Sequence, residues 1–316
     1  MRQQTYPASH KNSALRVSLF FMRYYTDKPL KISQIISFLK ERGLLFFDDR
    51  KAEHILQHIS YSRLKGYLTP LMWDKEQHIY KDSVSFEQAY ELYVFDSLLR
   101  KLISSELETI EISLRTQMAY VMADEVDIYW FADNSNFIEP EMHTNLLSSL
   151  ENELERCDDE QILRFKSLYG DQYPPAWMTL EVSTFGTLSM IFKNLKPGLT
   201  KRKIANTYGL SDVVLSSWLH CLVYIRNICA HHGRLWNKEI RIQPLLPRRT
   251  QHPFVSPLIY RKRVYYVLCI IQYLLKTIDP TSKFADNIQK LLTEFPNVNP
   301  TAMGFPKDWQ REALWQ

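Results

Sequence analysis

From Phe86 to about Ala123 the chain contains neither proline nor glycine, and Leu92, Phe95, Leu99, Leu102, Ile103, Leu107, Ile110, Leu114, Met118 and Val121 recur at near-helical steps. Apolar residues at that period form a stripe along one side of an α-helix. The segment therefore predicts one very long helix, or two joined by a kink. Glycine is scarce throughout, eight residues in 316, which disfavours Gly-rich nucleotide loops and turn-rich β structure. An all-α fold is expected from end to end.

The flanking segments are consistent with that class. Residues 1–27 are expected to form an extension, with Phe20 and Phe21 as docking residues. Residues 28–82 are expected to form a small helical subdomain. Ser33 is the expected N-cap of its first helix, Ile35, Ile36 and Leu39 supply the apolar face, and Gly43 is the stop. A second helix after Asp48 and Asp49 carries Ala52, Ile55, Leu56 and Ile59. His54 and His58 lie one turn apart on it, but the metalloprotease pattern needs Glu directly after the first His and this chain has Ile55. No metal site and no cofactor are expected. Tyr61, Arg63, Tyr67, Trp73 and Tyr80 read as an inter-helix connection, although aromatic and basic interleaving can also stack on unpaired bases.

The larger helical domain is expected to span residues 83–280. An acidic helix begins at about Met142, Pro174 and Pro175 end that unit, and one apolar helix is expected from Trp177 to Phe192 with Glu181 in an apolar setting. Residues 281–316, with Phe295, Phe305, Trp309, Leu314 and Trp315, should pack back onto the body. The longest apolar run, Val264 to Leu275, falls short of the roughly 20 residues that span a bilayer. Cys157, Cys221, Cys229 and Cys269 show no CxxC pair and read as reduced. A cytoplasmic protein without a membrane segment is expected.

Charge is distributed unevenly. Residues 196–263 hold thirteen Lys/Arg against Asp212 and Glu239, a net +11, which leaves −7 for the remainder of a chain of net charge +4. Lys201, Arg202, Lys203, Arg234, Arg248 and Arg249 in this stretch are the candidates for phosphate contacts. The alternative use of the same residues is a solvated basic face.

Within the basic stretch, Val213 to Ala230 predicts an apolar helix that ends in Arg226-Asn227-Ile228-Cys229-Ala230-His231-His232-Gly233. Arg226 and His231 are five apart, so an ideal helix sets them roughly 140° apart. Asn227 and His231 are four apart and share a face. Gly233 is the expected left-handed stop, which places both histidines in the last turn. Histidine can move protons near neutral pH, and arginine's planar donors match phosphate oxygens. Together they suit metal-independent phosphodiester cleavage.

The run from Arg226 to Asn237, Arg-Asn-Ile-Cys-Ala-His-His-Gly-Arg-Leu-Trp-Asn, resembles the signature of the Abi-like proteins (AbiD/AbiF type), bacterial abortive-infection proteins whose core is a HEPN domain. Other stretches match the family in order: Lys28-Pro29-Leu30 with Ile35 to Leu44, Ile59 to Tyr67, Phe95 to Arg100, Ile110 to Arg115, Pro175 to Leu188 and Met303 to Trp309. The resemblance implies a HEPN helical bundle in which the motifs of two subunits meet across a two-fold axis, and an endoribonuclease of antiphage defence. Carried over residue by residue, Arg226 binds and stabilises the phosphate, Asn227 orients, and His231 is the general acid/base. His232 fits the longer allowed spacing, and the choice between the two histidines stays open.

Arg115 and Glu111, which match the family pattern, also form an i,i+4 ion pair on a helix, and Glu181 is a candidate to orient a histidine or to pair with an arginine. The expected partners are RNA, a second copy of the chain, and a noncoding RNA or a protein antitoxin. Two competing functions remain at this stage. One is a HEPN-type module that binds RNA or protein without cutting, and the other is a transcription regulator using the first two helices as a helix-turn-helix.

Overall fold

The computed structural model describes residues 29–316 with the exception of Pro257; the expected extension and its Phe20 and Phe21 lie outside them. The long apolar stripe becomes one unbroken helix, α4 (Phe86–Glu125), of 40 residues and about 60 Å. Its start is fixed by a capping box. Ser85 Oγ accepts from the Gln88 amide at 3.3 Å, and Gln88 Oε1 accepts from the Ser85 amide at 3.1 Å. Leu92, Phe95, Leu99, Ile103, Leu107, Ile110, Leu114 and Met118 are buried along one side.

Three short helices precede it: α1 (Ile32–Glu41), α2 (Asp49–His58) and α3 (Tyr61–Leu68). The first starts earlier than expected, with Lys31 rather than Ser33 as the cap, because Gln34 bonds back to the Lys31 amide at 2.9 Å. Gly43 does end α1, at φ +87°. Residues 72–80 hold a small antiparallel hairpin, β1 (Met72–Asp74) with β2 (Ile79–Tyr80), where a plain connection was expected. The class remains all-α.

After α4 come α5 (Pro140–Arg156) and α6 (Glu160–Leu168). The expected single helix over 177–192 is broken into α7 (Ala176–Thr179) and α8 (Phe185–Asn194), with a 3-10 turn between them. The break follows from Thr184, whose hydroxyl accepts from the Thr187 amide at 3.1 Å and so caps a new helix. The phosphate-contact candidates Lys201, Arg202 and Lys203 lie inside α9 (Leu199–Thr207).

The bundle then closes with α10 (Asp212–Ala230), α11 (Val264–Ile278) and α12 (Phe284–Glu294). Every residue from Val264 to Leu275 is buried, which makes α11 the central helix, buried on all sides and almost wholly apolar. By length and composition α10 could cross a bilayer, but it packs against α4, α8, α9 and α11. The C-terminal segment does fold back. Trp315 Nε1 donates to the Tyr265 hydroxyl at 3.0 Å, and that hydroxyl donates to Glu312 at 2.7 Å. The four cysteines are free thiols, three of them buried.

Candidate functional site

The last turn of α10 carries the motif. Arg226 is half-buried, while Asn227, His231 and His232 face solvent. The expected pairing of Asn227 with the imidazole is not what forms. Asn227 Oδ1 accepts instead from Arg226 Nη1 at 3.2 Å, so the amide steers the guanidinium, and His231 and His232 present their rings to solvent.

The helix ends in a Schellman arrangement, with an unexpected residue at its left-handed position. The Gly233 amide donates to the Ile228 carbonyl at 2.7 Å and the His232 amide to the Cys229 carbonyl at 3.0 Å. The left-handed residue is His232, at φ +54°, where Gly233 was expected. Gly233 instead packs closely on Ile228: a Cβ there would sit 3.1 Å from Ile228 Cγ2 and 3.3 Å from the Ile228 carbonyl oxygen, so Ile228 would have to give by a few tenths of an ångström. A side chain in the left-handed region costs roughly 1–2 kcal/mol relative to an ordinary conformation. The strained turn leaves the His232 side chain exposed, next in the chain to the exposed His231. His232→Gly should therefore melt at or above the wild-type temperature in a thermal unfolding scan, and a drop of several degrees would contradict the strain.

The segment after the motif is locked from two sides. Arg63, on α3, donates to the His232 carbonyl at 2.7 Å. Asp96, on α4 and 0% exposed, accepts from the Trp236 amide at 2.7 Å, the Leu235 amide at 3.2 Å, the Tyr67 hydroxyl at 2.6 Å and Arg100 Nη1 at 2.5 Å. Arg100 also reaches the Gly233 carbonyl at 3.4 Å. Burial raises the Asp96 carboxyl above its ordinary value, and Tyr67, Arg100 and the two amides pull against that rise. Tyr67 stacks near Trp236, with ring centroids 6.3 Å apart. Three stretches far apart in sequence, around Arg63, Asp96 and Arg226, thus build one support for the histidine turn. Asp96, Arg100, Arg63 and Tyr67 were not singled out as site residues, although Asp96 falls on the apolar stripe of α4 between Leu92 and Leu99, where a charge is a signal of a buried partner.

The remaining candidates separate. Arg115 fastens the break between α7 and α8, donating to the Leu180 carbonyl at 3.0 Å and the Ser183 carbonyl at 3.1 Å, and it forms the expected pair with Glu111 at 2.9 Å. Glu181 is not in an apolar setting. Its side chain is 63% exposed and lies 3.7 Å from Arg115, at the helix break. Lys201 is buried, and its Nζ donates to the Lys193 carbonyl at 3.0 Å and the Leu195 carbonyl at 2.8 Å, so it closes the end of α8 rather than meeting a phosphate. Burial lowers its pKa.

Lys203 is paired with Glu125 and lies 3.8 Å from Asp124. Arg234 donates to the Trp236 and Asn237 carbonyls at 3.1 and 3.4 Å, and Gly66 leaves the room its side chain occupies. Arg202, Arg248 and Arg249 remain exposed. The rings of His54 and His58 pack edge to face at 4.7 Å.

Comparison with known proteins gives one result. The family model described as Abi-like protein matches residues 54–237, more than half of the chain. The match begins in α2 and ends at Asn237, so it takes in Arg63, Asp96, Arg100 and the whole histidine turn, and leaves the stretches at 28–44 and 303–309 outside it. No curated protein and no solved structure matches the chain.

Proposed function

The chain belongs to the Abi-like protein family, which ties it to abortive-infection defence, and from that premise we propose that it is a metal-independent endoribonuclease. The observation that carries this reading is the solvent-facing group at the end of α10: Arg226 held by Asn227, with His231 and the strained His232 one turn on.

The chemistry is a transesterification. One imidazole takes the proton of a ribose 2′-hydroxyl, the 2′-oxygen bonds to phosphorus, and the 5′-oxygen leaves with a proton from a second imidazolium. The products are a 2′,3′-cyclic phosphate and a 5′-hydroxyl. Arg226 stays charged and places its donors on the phosphate oxygens as negative charge builds. Asn227 limits the positions the guanidinium can take.

Base and acid must stand on opposite sides of the phosphorus. Two copies of a HEPN-type domain meeting at an isologous interface supply both from one sequence. Sedimentation of the active protein as a dimer is expected, and cleavage by a monomer would overturn the shared-site part of the proposal. The chemistry itself is tested with purified protein and RNA in excess EDTA: 5′-hydroxyl and cyclic-phosphate ends are expected. Binding without new ends would move the assignment to a module that holds RNA and does not cut it.

A further inference from the structure

Part of the basic segment lies away from the motif. At the opposite end of α10, a groove of about 1160 Å³ is lined by Arg202, Arg248, Arg249 and Arg261, with Asp212 the carboxylate among its lining residues. Four guanidiniums against one carboxylate leave the groove at +3. Arg202, Arg248 and Arg249 form no ion pair among the described residues, and Arg261 gives one N–H to the Pro244 carbonyl at 3.2 Å. Their planar donors are free for an anionic ligand.

The wall of the groove is built, not loosely draped. The Leu245 carbonyl accepts from Trp218 Nε1 at 2.8 Å and from the Tyr266 hydroxyl at 3.2 Å, while the Leu245 amide donates to Ser217 Oγ at 3.0 Å. The Gln251 amide donates to the Tyr273 hydroxyl at 3.1 Å. Gly209, at φ +62°, allows the two sides to close up, since a Cβ there would lie 2.4 Å from Gln251 Cβ. Arginines mounted on a fixed wall lose less freedom when they bind than arginines on a free loop.

Position along α10 decides what the groove is for. The helix has 19 residues, so the groove lies about 28 Å along the axis from the histidine turn. Val213, which lines the groove, lies on the same side of α10 as His220, Asn227 and His231, all exposed at helical spacing, so one exposed face runs along α10 from the groove to the histidine turn. We infer that the groove is a second phosphate-backbone site, which holds the RNA strand away from the bond that is cut. A stacked strand advances about 3.4 Å per phosphate, so the two sites are on the order of eight nucleotides apart. The substrate is then an RNA long enough to reach both, and a shorter one forfeits the groove. This inference rests on the ribonuclease reading for its ligand.

The test is the salt dependence of RNA binding by the full chain, wild type beside the Arg202→Ala/Arg248→Ala/Arg249→Ala variant, on 20-nucleotide and 6-nucleotide single strands. Losing three contacts should flatten the slope of log K against log salt by about 2 and weaken the 20-mer roughly 10- to 100-fold at 0.1 M salt. The advantage of the 20-mer over the 6-mer should shrink accordingly, and lysine at the same three positions should restore most of the slope. If the wild type binds no RNA, the ribonuclease reading and this inference fail together. If it binds with the slope unchanged in the variant, the inference alone is overturned. Free phosphate groups are the other source of the same chemistry. A nucleoside triphosphate that raises the melting temperature of the wild type and not of the variant, with the RNA slopes equal, would make the groove a nucleotide site and overturn the RNA assignment.

Discussion

Asp96→Ala is expected to lose about 3–5 kcal/mol of stability. Asp96 is the common acceptor for Tyr67, Arg100 and the amides of Leu235 and Trp236. Removing it leaves the Arg100 guanidinium, 5% exposed, without its counter-charge. A buried charge stripped of its partner costs more than the pair is worth, because the desolvation it suffered on folding is no longer offset. The histidine turn loosens with it, since the Leu235 and Trp236 amides hang on the same carboxylate and Arg100, which reaches the Gly233 carbonyl, is oriented by it. Urea denaturation measures the loss, and a change below about 1 kcal/mol would show that the network does not carry the support. Adding Arg100→Met to Asp96→Ala should recover part of the stability by removing the stranded charge.

The second large effect is on chemistry without a matching effect on folding. His231→Ala and Arg226→Ala are each expected to slow RNA cleavage by about 10²- to 10⁴-fold, the range lost with a positioned acid, base or charge-stabilising donor. Their melting temperatures should stay close to wild type. His231 is exposed at the helix cap, and Arg226 gives up only its bond to Asn227. His232→Ala separates the two histidines. A loss comparable with that of His231→Ala assigns it the second proton transfer, and near wild-type rates leave both transfers to the His231 residues of two subunits. Steady-state cleavage of one defined RNA, read beside thermal unfolding of each variant, carries the comparison. Asp96→Ala and His231→Ala thus form a contrasting pair, the first failing through the fold and the second through the reaction.

The elements that were legible in the sequence are those whose signal is local. The length of α4 follows from the absence of helix breakers together with an apolar residue every three or four positions, and α10 and α11 follow from the same periodicity. What escaped depends on partners distant in the chain. Lys201 reads as a phosphate contact because nothing nearby reveals that its ammonium will cap the carbonyls of residues 193 and 195. Asp96 and Arg100 stand in the sequence only as part of the family stretch Phe95 to Arg100, since the amides of Leu235 and Trp236 that complete their network arrive from some 140 residues away. Glu181 was placed in an apolar environment on the strength of its neighbours, but the capping hydroxyl of Thr184 breaks the helix and turns that carboxylate to solvent.

At the histidine turn the residue types were readable and the backbone was not. Gly233 suits the left-handed position by type, but that position falls one residue earlier, at His232, and Gly233 packs closely on Ile228. The basic segment was readable as a charge excess, and its placement was not. Arg202, Arg248 and Arg249 stand at one end of α10 and the histidines at the other.

The measurement that tests the central claim most directly is the mapping of new 5′-hydroxyl ends in total RNA from cells induced to express the wild type or His231→Ala, with and without phage infection. New ends and growth arrest with the wild type alone are the predicted result. The same ends from both proteins, or none from either during infection, would contradict a ribonuclease centred on His231.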